Sequence, residues 1–129
     1  MPLKPVRFGF KNYILASHDG LVFDFEIYQG AQTPMNSNYK SDYGTTVATV
    51  LHLARTIPEN FTHILYVDRY FTSLKLIELL LARKIFCTGT VMKSRIKSIP
   101  FDNENVFKKQ QRGYVEELSK SDKSICAIK

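Results

Sequence analysis

The chain has 129 residues, enough for one domain with its own core. A hydrophobic content of 44% excludes wholesale disorder, and a net charge of +6 permits an acidic partner such as nucleic acid without requiring one. Because no apolar run reaches about 18 residues and the start lacks a signal-peptide pattern, we expect a soluble, intracellular protein without membrane contact.

The first part of the chain predicts a β-hairpin. Apolar and polar residues alternate over Val6–Ala16 and Leu21–Tyr28. Residues 17–20 between them end in the Asp-Gly pair that suits the positive φ of a tight hairpin turn. Asp24 and Glu26 fall on the face expected to be solvated, although two neighbouring carboxylates could also hold a cation. The face expected to point inward carries Leu21, Phe23, Phe25 and Ile27.

A loop and then a helix are predicted after the hairpin. Residues 29–42 are polar and rich in Asn, Ser and Gln, which is typical of a loop. Apolar residues then recur with helical spacing, from near residues 43–46 to just before Pro58. His52 falls outside the apolar stripe and is interpreted as a surface residue. The inward positions are Val47, Val50, Leu51 and Ala54.

The centre of the chain predicts a β-α-β unit. The apolar run Ile64–Val67 indicates a strand buried on both faces. Thr72 and Ser73 supply hydroxyl N-caps for an almost wholly apolar helix, Leu74–Lys84. Phe86–Met92 predicts a further strand, parallel to the first.

Asp68 ends the first strand of this unit. In open α/β sheets, ligands and metals gather at the carboxyl ends of the strands. A lone Asp at a strand end is also typical of a turn or cap residue. Asp68 is therefore a candidate metal ligand or catalytic carboxylate, and its sequence context decides between these interpretations.

Several segments resemble the conserved motifs of piggyBac-type transposases. Residues 66–74 (YVDRYFTSL) resemble the family's Tyr-x-Asp-Asn-Phe/Tyr-Phe-Thr-Ser-Leu signature. Residues 5–11 (PVRFGFK) and 24–30 (DFEIYQG) resemble two strands that precede it in the family. Residues 88–93 (TGTVMK) and 111–113 (QRG) resemble two motifs that follow it. The order and spacing match over nearly the whole chain.

This resemblance implies an RNase H-like catalytic core, in which three Asp residues bind two divalent metal ions. Asp68 matches the second of the three, while the first would lie upstream of Lys4 and the third beyond Lys129. The implied fold is α/β: a single partial RNase H-like domain over residues 1–129, lacking its first strand and C-terminal portion. Its mixed sheet would consist of an N-terminal antiparallel hairpin followed by the β-α-β unit.

The resemblance also bears on metal binding. Two-metal phosphoryl transfer needs several converging anionic ligands, and one carboxylate cannot position two ions. Arg69 stands where the family usually has Asn, and its guanidinium could compete with a metal for Asp68. We therefore expect Asp68 to be a vestigial catalytic residue and a weak metal ligand. No cofactor is expected for the chain alone, and Mg²⁺ or Mn²⁺ only if the ancestral site were completed.

A basic region follows the β-α-β unit. From residue 93 onward there are nine Lys or Arg and five Asp or Glu, first in a basic turn and then in a polar stretch predicted to be helical. Cations beside a catalytic edge suit contact with phosphates, although a solvated surface explains them equally well. The candidate DNA-contacting residues are Lys93, Arg95, Lys97, Lys108, Lys109 and Arg112.

Residues 124–128 predict a last strand. Cys87 and Cys126 both lie in apolar, strand-like runs without the spacing of a zinc site. They are expected to be buried free thiols in a reducing compartment.

Four functional hypotheses remain at this point. The first is a catalytically inactive, transposase-derived fragment with weak, sequence-independent DNA binding and, by resemblance, a nuclear location. The second is a metal-dependent strand-transfer core completed by other chains. The third is a protein-interaction or self-association module that uses the Leu74–Leu81 helix and open strand edges. The fourth is a transposon remnant without a selected function.

Overall fold

The structure is a computed structural model that describes residues 9–59 and 61–129. In these residues four α-helices and six strands form a mixed α/β fold, which confirms the predicted class. The strands make three two-stranded sheets, so the single mixed sheet that was predicted is not formed. The elements are β1 (Asn12–Ala16), β2 (Val22–Ile27), α1 (Ser37–Tyr43), α2 (Thr45–Leu53), β3 (His63–Val67), α3 (Leu74–Ala82), β4 (Ile85–Gly89), α4 (Glu104–Phe107), β5 (Glu117–Ser119) and β6 (Cys126–Ile128).

The N-terminal hairpin is confirmed. β1 and β2 pair antiparallel, with an irregularity in the register between Leu15 and Ala16. The turn closes where the Ser17 N–H donates to the Leu21 carbonyl at 2.8 Å, and Gly20 takes the positive φ of +92° that the Asp-Gly pair predicts. Within the described residues β1 begins six residues later than predicted. The predicted strand residues 6–8 lie outside the described part of the chain.

The faces of the hairpin are the reverse of the prediction. Asp24 and Glu26 are half-buried and point at α2, whereas Phe25 is 57% exposed. The reason is the polar surface that the end of α2 presents. Glu26 Oε2 lies 3.4 Å from His52 Nε2, and Asp24 Oδ2 lies 3.9 Å from Arg55 Nη2. The alternation of two faces along β2 was predicted correctly, but the prediction of which face is buried was wrong.

The segment predicted as a loop contains a helix, α1. Its N-terminus is capped by Asn36, whose side chain accepts a hydrogen bond from the Asn38 N–H at 2.9 Å. Gly44, with φ of +80°, ends α1 and begins α2. Because α1 has no buried residue, no apolar period marked it in the sequence.

The β-α-β unit is confirmed. β3 and β4 pair in parallel, from His63 opposite Ile85 to Val67 opposite Gly89. Ser73 caps α3, because its Oγ accepts from the Leu76 N–H at 3.2 Å.

Two details of this unit differ from the prediction. Thr72 is not a cap: its hydroxyl donates to the Asp68 carbonyl at 3.0 Å. β3 is buried on one face only, since Tyr66 is 76% exposed.

The main core lies between α2, α3 and the β3–β4 sheet. The predicted inward positions of α2 are all buried, which confirms the helical spacing. His52 is not a surface residue: its side chain is 10% exposed because it faces the hairpin. Leu76 and Leu80 of α3 are fully buried, so the apolar surface predicted on this helix is largely covered. The buried cluster consists of Val47, Val50, Leu51, Ala54, Leu76, Leu80 and Ile85.

The C-terminal region ends in a second antiparallel pair, β5 and β6. β6 confirms the predicted last strand, while β5 was not predicted. Lys108 is the C-cap of α4, and residues 109–112 are not helical. The predicted helix over this stretch is therefore wrong. Cys87 is half-buried, and burial raises the pKa of its thiol to about 11, but Cys126 is exposed, against the prediction. Across the described residues, every helix is too short or too polar to cross a membrane.

Gly89 tests the contact between β4 and the turn that follows β3. A Cβ there would collide with the Val67 carbonyl and lie 2.7 Å from Thr72 Oγ1. We expect Gly89→Ala to lower the free energy of unfolding by about 1–3 kcal/mol in urea denaturation followed by circular dichroism. Gly9→Ala is the matched control, since nothing lies within 4 Å of a Cβ at that position. Equal effects of the two substitutions would contradict the close packing.

Candidate functional site

Asp68 is built into the turn that joins β3 to α3. Its Oδ1 accepts a hydrogen bond from the Tyr70 N–H at 2.8 Å, which closes an Asx turn. Its backbone carbonyl accepts from the N–H groups of Phe71 and Thr72 at 2.9 and 3.1 Å. The carboxylate is exposed at the carboxyl end of the strand, where the sequence predicted it. One of its two oxygens therefore already serves the turn.

Arg95 holds the far side of the same turn. Its Nη1 donates to the Thr72 carbonyl at 3.0 Å, and the residue is half-buried. This predicted DNA-contacting residue therefore has a structural contact in this chain. Arg69 would compete with a metal only if its guanidinium turned towards Asp68, and within residues 9–59 and 61–129 no ion pair joins the two side chains.

The donor set does not fit a two-metal centre. In the part of the chain that the structure describes, no group of three or more His, Cys, Asp or Glu side chains could hold a metal ion. Asp24 and Glu26, the other carboxylates considered for a cation, face Arg55 and His52 instead. Among the described residues, the turn after β3 thus offers a single carboxylate, Asp68, whereas paired Mg²⁺ ions need several converging anionic ligands.

The predicted basic residues divide into three sets. Lys93 pairs with Glu104, with Nζ and Oε1 2.7 Å apart, and hydrogen bonding to Lys93 lowers the pKa of that carboxyl. Arg95 is held by the turn after Asp68. The remaining four are exposed and form no ion pair among the described residues; they are Lys97, Lys108, Lys109 and Arg112.

A groove of about 1170 Å³ runs along the carboxyl ends of β3 and β4. Hydroxyl groups at the start of α3 and after β4 line it, together with β6 and the basic turn. Lys93 and Lys97 reach this groove, whereas Asp68, Lys108 and Arg112 are not among its lining residues. The structure therefore brings only part of the predicted site together.

Lys129 is a groove residue that the sequence did not indicate. Its Nζ donates to the Asp102 carbonyl at 2.6 Å and lies 4.5 Å from the centroid of the Phe107 ring. These contacts join the end of the chain to a distant segment, so no local pattern could reveal them. An aromatic contact was missed for the same reason: the rings of Tyr13 and Phe71 lie 5.9 Å apart and connect the hairpin to the Asp68 turn.

Comparisons with known proteins agree with the motifs in this region. The family described as transposase IS4 matches residues 1–129. Human PiggyBac transposable element-derived protein 3 is 32% identical over 114 residues, covering 85% of this chain and 18% of that protein. The human chimeric ERCC6-PGBD3 protein shows the same identity, with 10% of its length covered. Human PiggyBac transposable element-derived protein 2 is 29% identical over 112 residues, 85% of this chain and 18% of its own length.

The chain thus spans less than a fifth of the curated relatives that it matches. No solved structure matches it. A family match over every residue, the identities to these human proteins and the YVDRYFTSL segment around Asp68 lead to one conclusion. The chain belongs to the transposase IS4 family, as a piggyBac-type member.

Proposed function

We propose that these 129 residues form a transposase-derived segment of an RNase H-like domain that contacts DNA weakly and without sequence preference in the nucleus, and that is catalytically inactive by itself. One observation carries the proposal: at the carboxyl edge of β3 and β4 the turn around Asp68 offers one carboxylate, while four exposed cations of the basic region form no ion pair among the described residues. Such an edge attracts phosphates but cannot assemble a pair of metal ions.

The order of the elements supports the RNase H-like part of this proposal. An antiparallel hairpin, the helices α1 and α2 and a parallel β-α-β unit follow one another. The family resemblance implies a hairpin followed by a β-α-β unit. β1 pairs only with β2, and β3 only with β4, so each two-stranded sheet keeps an open edge among the described residues. A further strand between β1 and β3 would satisfy both edges and join the pairs into one mixed sheet.

The charges support the DNA part. Lys97, Lys108, Lys109 and Arg112 are exposed, and no acidic side chain of the described residues pairs with them. Contacts between such side chains and phosphates provide affinity without sequence information. The groove beside Lys93 and Lys97 presents the hydroxyls of Ser73 and Thr88, which can donate hydrogen bonds to phosphate oxygens. Groups that read base edges are not needed for this kind of binding.

A second candidate function, protein interaction, is favoured by the exposed apolar face of the hairpin. Ile14 and Phe25 are paired across β1 and β2, and both are more than half exposed. Phe23 and Ile27 extend this face along β2. A continuous apolar strand face is a typical protein-binding surface. It replaces the α3 surface that the sequence favoured for this role, because α3 is largely covered.

DNA binding can be tested by fluorescence anisotropy with a labelled duplex at several salt concentrations. We expect log K to fall linearly with log salt, and the triple variant Lys97→Gln, Lys108→Gln, Lys109→Gln to reduce the slope by about 2–3. The matched control, Lys75→Gln, Lys84→Gln, Lys123→Gln, lowers the net charge equally but leaves all six candidate DNA-contacting residues intact. An equal decrease of the slope in both variants would mean that the effect comes from the net charge and not from these three residues. A slope near zero in the wild type would refute DNA binding.

The role of Asp68 can be tested by calorimetric titration with MgCl₂ and MnCl₂ and by urea denaturation. We expect no saturable metal site in the wild type. Asp68→Ala should lower the free energy of unfolding by about 1 kcal/mol because the Asx turn loses its acceptor. Asp68→Asn should preserve stability, since its amide oxygen can still accept from the Tyr70 N–H. A saturable Mg²⁺ site lost in both variants would overturn the inactive assignment in favour of a strand-transfer core.

Self-association can be tested by sedimentation at several protein and salt concentrations. If the hairpin face mediates it, association should persist at high salt, and Phe25→Thr should weaken it about tenfold by removing buried apolar area. Phe61→Thr is the control, because it removes an exposed Phe outside the hairpin. A monomer at all concentrations would exclude self-association through this face.

A further inference from the structure

Three tyrosine rings surround the ammonium group of Lys11. Lys11 Nζ lies 4.9 Å from the ring centroid of Tyr13, 5.1 Å from that of Tyr28 and 5.0 Å from that of Tyr70. Each distance is within the range of a cation–π contact. The rings come from β1, from the end of β2 and from the turn after β3, so the fold assembles the cluster from three separate segments.

The rings are held in place by other contacts. Tyr13 is buried, and its ring meets that of Tyr28 edge to face at 6.1 Å. The Phe71 ring packs against two of these rings, with its centroid 5.9 Å from that of Tyr13 and 5.1 Å from that of Tyr70. The Tyr28 N–H also donates to the Lys11 carbonyl at 2.9 Å, which fixes the strand ends. The cluster is therefore formed by the fold and does not depend on a ligand to assemble it.

The outer side of the cluster is open. Tyr28 is 44% exposed and Tyr70 is 42% exposed, and Lys11 is exposed as well. Hydrogen bonding with Tyr13 raises the pKa of Lys11 above its ordinary value, so its side chain is a cation at neutral pH. A second cation can approach the same ring faces from solvent only by displacing this side chain.

A primary ammonium is not the cation that aromatic faces bind best. It is compact, strongly hydrated and carries three N–H donors that the ring faces satisfy poorly. A methylated ammonium lacks some or all of these donors, is more weakly hydrated and presents methyl groups to the rings. Clusters of aromatic rings recognise such groups for this reason.

From this geometry we propose that Tyr13, Tyr28 and Tyr70 form a binding site for a methylated ammonium group, of the kind carried by a methylated lysine side chain, and that Lys11 is its resident competitor. Because Lys11 is tethered beside the rings, its effective concentration there is high, and it weakens the binding of a free ligand. This proposal does not depend on DNA binding or on the state of Asp68.

The test is a titration with tetramethylammonium chloride, at constant ionic strength, followed by the NMR signals of the tyrosine rings. Lys11→Met removes the resident cation and leaves a neutral, flexible side chain that a ligand can displace without breaking a cation–π contact. We expect saturable shifts of the Tyr13, Tyr28 and Tyr70 ring signals in this variant, with at least about tenfold tighter binding than in the wild type. Adding Tyr70→Leu to Lys11→Met should weaken binding by about threefold or more.

Lys75→Met is the matched control, since the Lys75 ammonium lies over a single ring, that of Tyr43, at 5.4 Å. It should behave as the wild type does. Equal titrations of Lys11→Met and Lys75→Met, or shifts that survive Tyr70→Leu unchanged, would overturn the proposal. If Lys11→Met does not fold, the wild type is titrated at high ligand concentration. Shifts of the three ring signals that become weaker in Tyr70→Leu support the site, and the absence of such shifts refutes it.

Discussion

The packing of α2 and α3 against the β3–β4 sheet is the constraint on which the other features depend. Leu76 and Leu80 of α3 are fully buried in one cluster with Leu51 of α2, Ala54 just after α2 and Ile85 of β4. Removing a side chain of this kind from a core costs about 2–5 kcal/mol, a large part of the stability of a small domain. The parallel register of β3 and β4 follows from this packing, and it sets where the turn after β3 emerges.

That turn concentrates structural contacts in a small space. Asp68 caps it from one side, Arg95 binds the Thr72 carbonyl from the other, and β4 approaches it so closely that only Gly fits at position 89. The residue that the family resemblance marks as catalytic is thus also a stability residue here. A substitution at Asp68 can therefore reduce function through the turn without any metal being lost, which is why Asn and Ala must be compared.

Polar contacts join β2 to the end of α2. The guanidinium of Arg55 carries only hydrogen-bond donors. Arg55 Nη1 lies 3.2 Å from His52 Nδ1, so this nitrogen of His52 must be the acceptor. A neutral His52 then carries its proton on Nε2, directed towards Glu26 Oε2 at 3.4 Å. These contacts with His52 and Arg55 explain why the carboxylates of Asp24 and Glu26 face α2. They also leave Phe23 and Phe25 on the outer side, where they define the exposed apolar face.

Sequence reasoning succeeded where the determinants are local. The Asp-Gly turn, the apolar stripe of α2 and the Ser73 cap follow from spacing within a few residues. The parallel pairing of β3 and β4 follows from the strand-helix-strand order, which favours a parallel neighbour. It failed where the outcome depends on a distant partner. Alternation along β2 shows that two faces exist, but the choice between them is made by His52 and Arg55, about 26 to 31 residues away.

The same limit applies to the candidate site. Asp68 could be located from the sequence because the end of a strand is a local feature. The hydrogen bond from Arg95 to the Thr72 carbonyl spans 23 residues of sequence, so no local pattern predicted it. The ring cluster around Lys11 joins three segments and has no local pattern at all.

The three separate sheets connect the fold to the proposed function. A carboxylate at the end of one strand becomes part of a metal centre only when neighbouring strands bring further carboxylates to the same edge. In the part of the chain that the structure describes, β3 has one such neighbour, β4, whose end carries Thr88 and Gly89 and no acid. In the turn that follows β4, Lys93 is paired with Glu104, while Lys97 is exposed and forms no ion pair among the described residues. Under the proposed function, the exposed cations beside this edge contact phosphates, and a metal centre would need carboxylates from further strands.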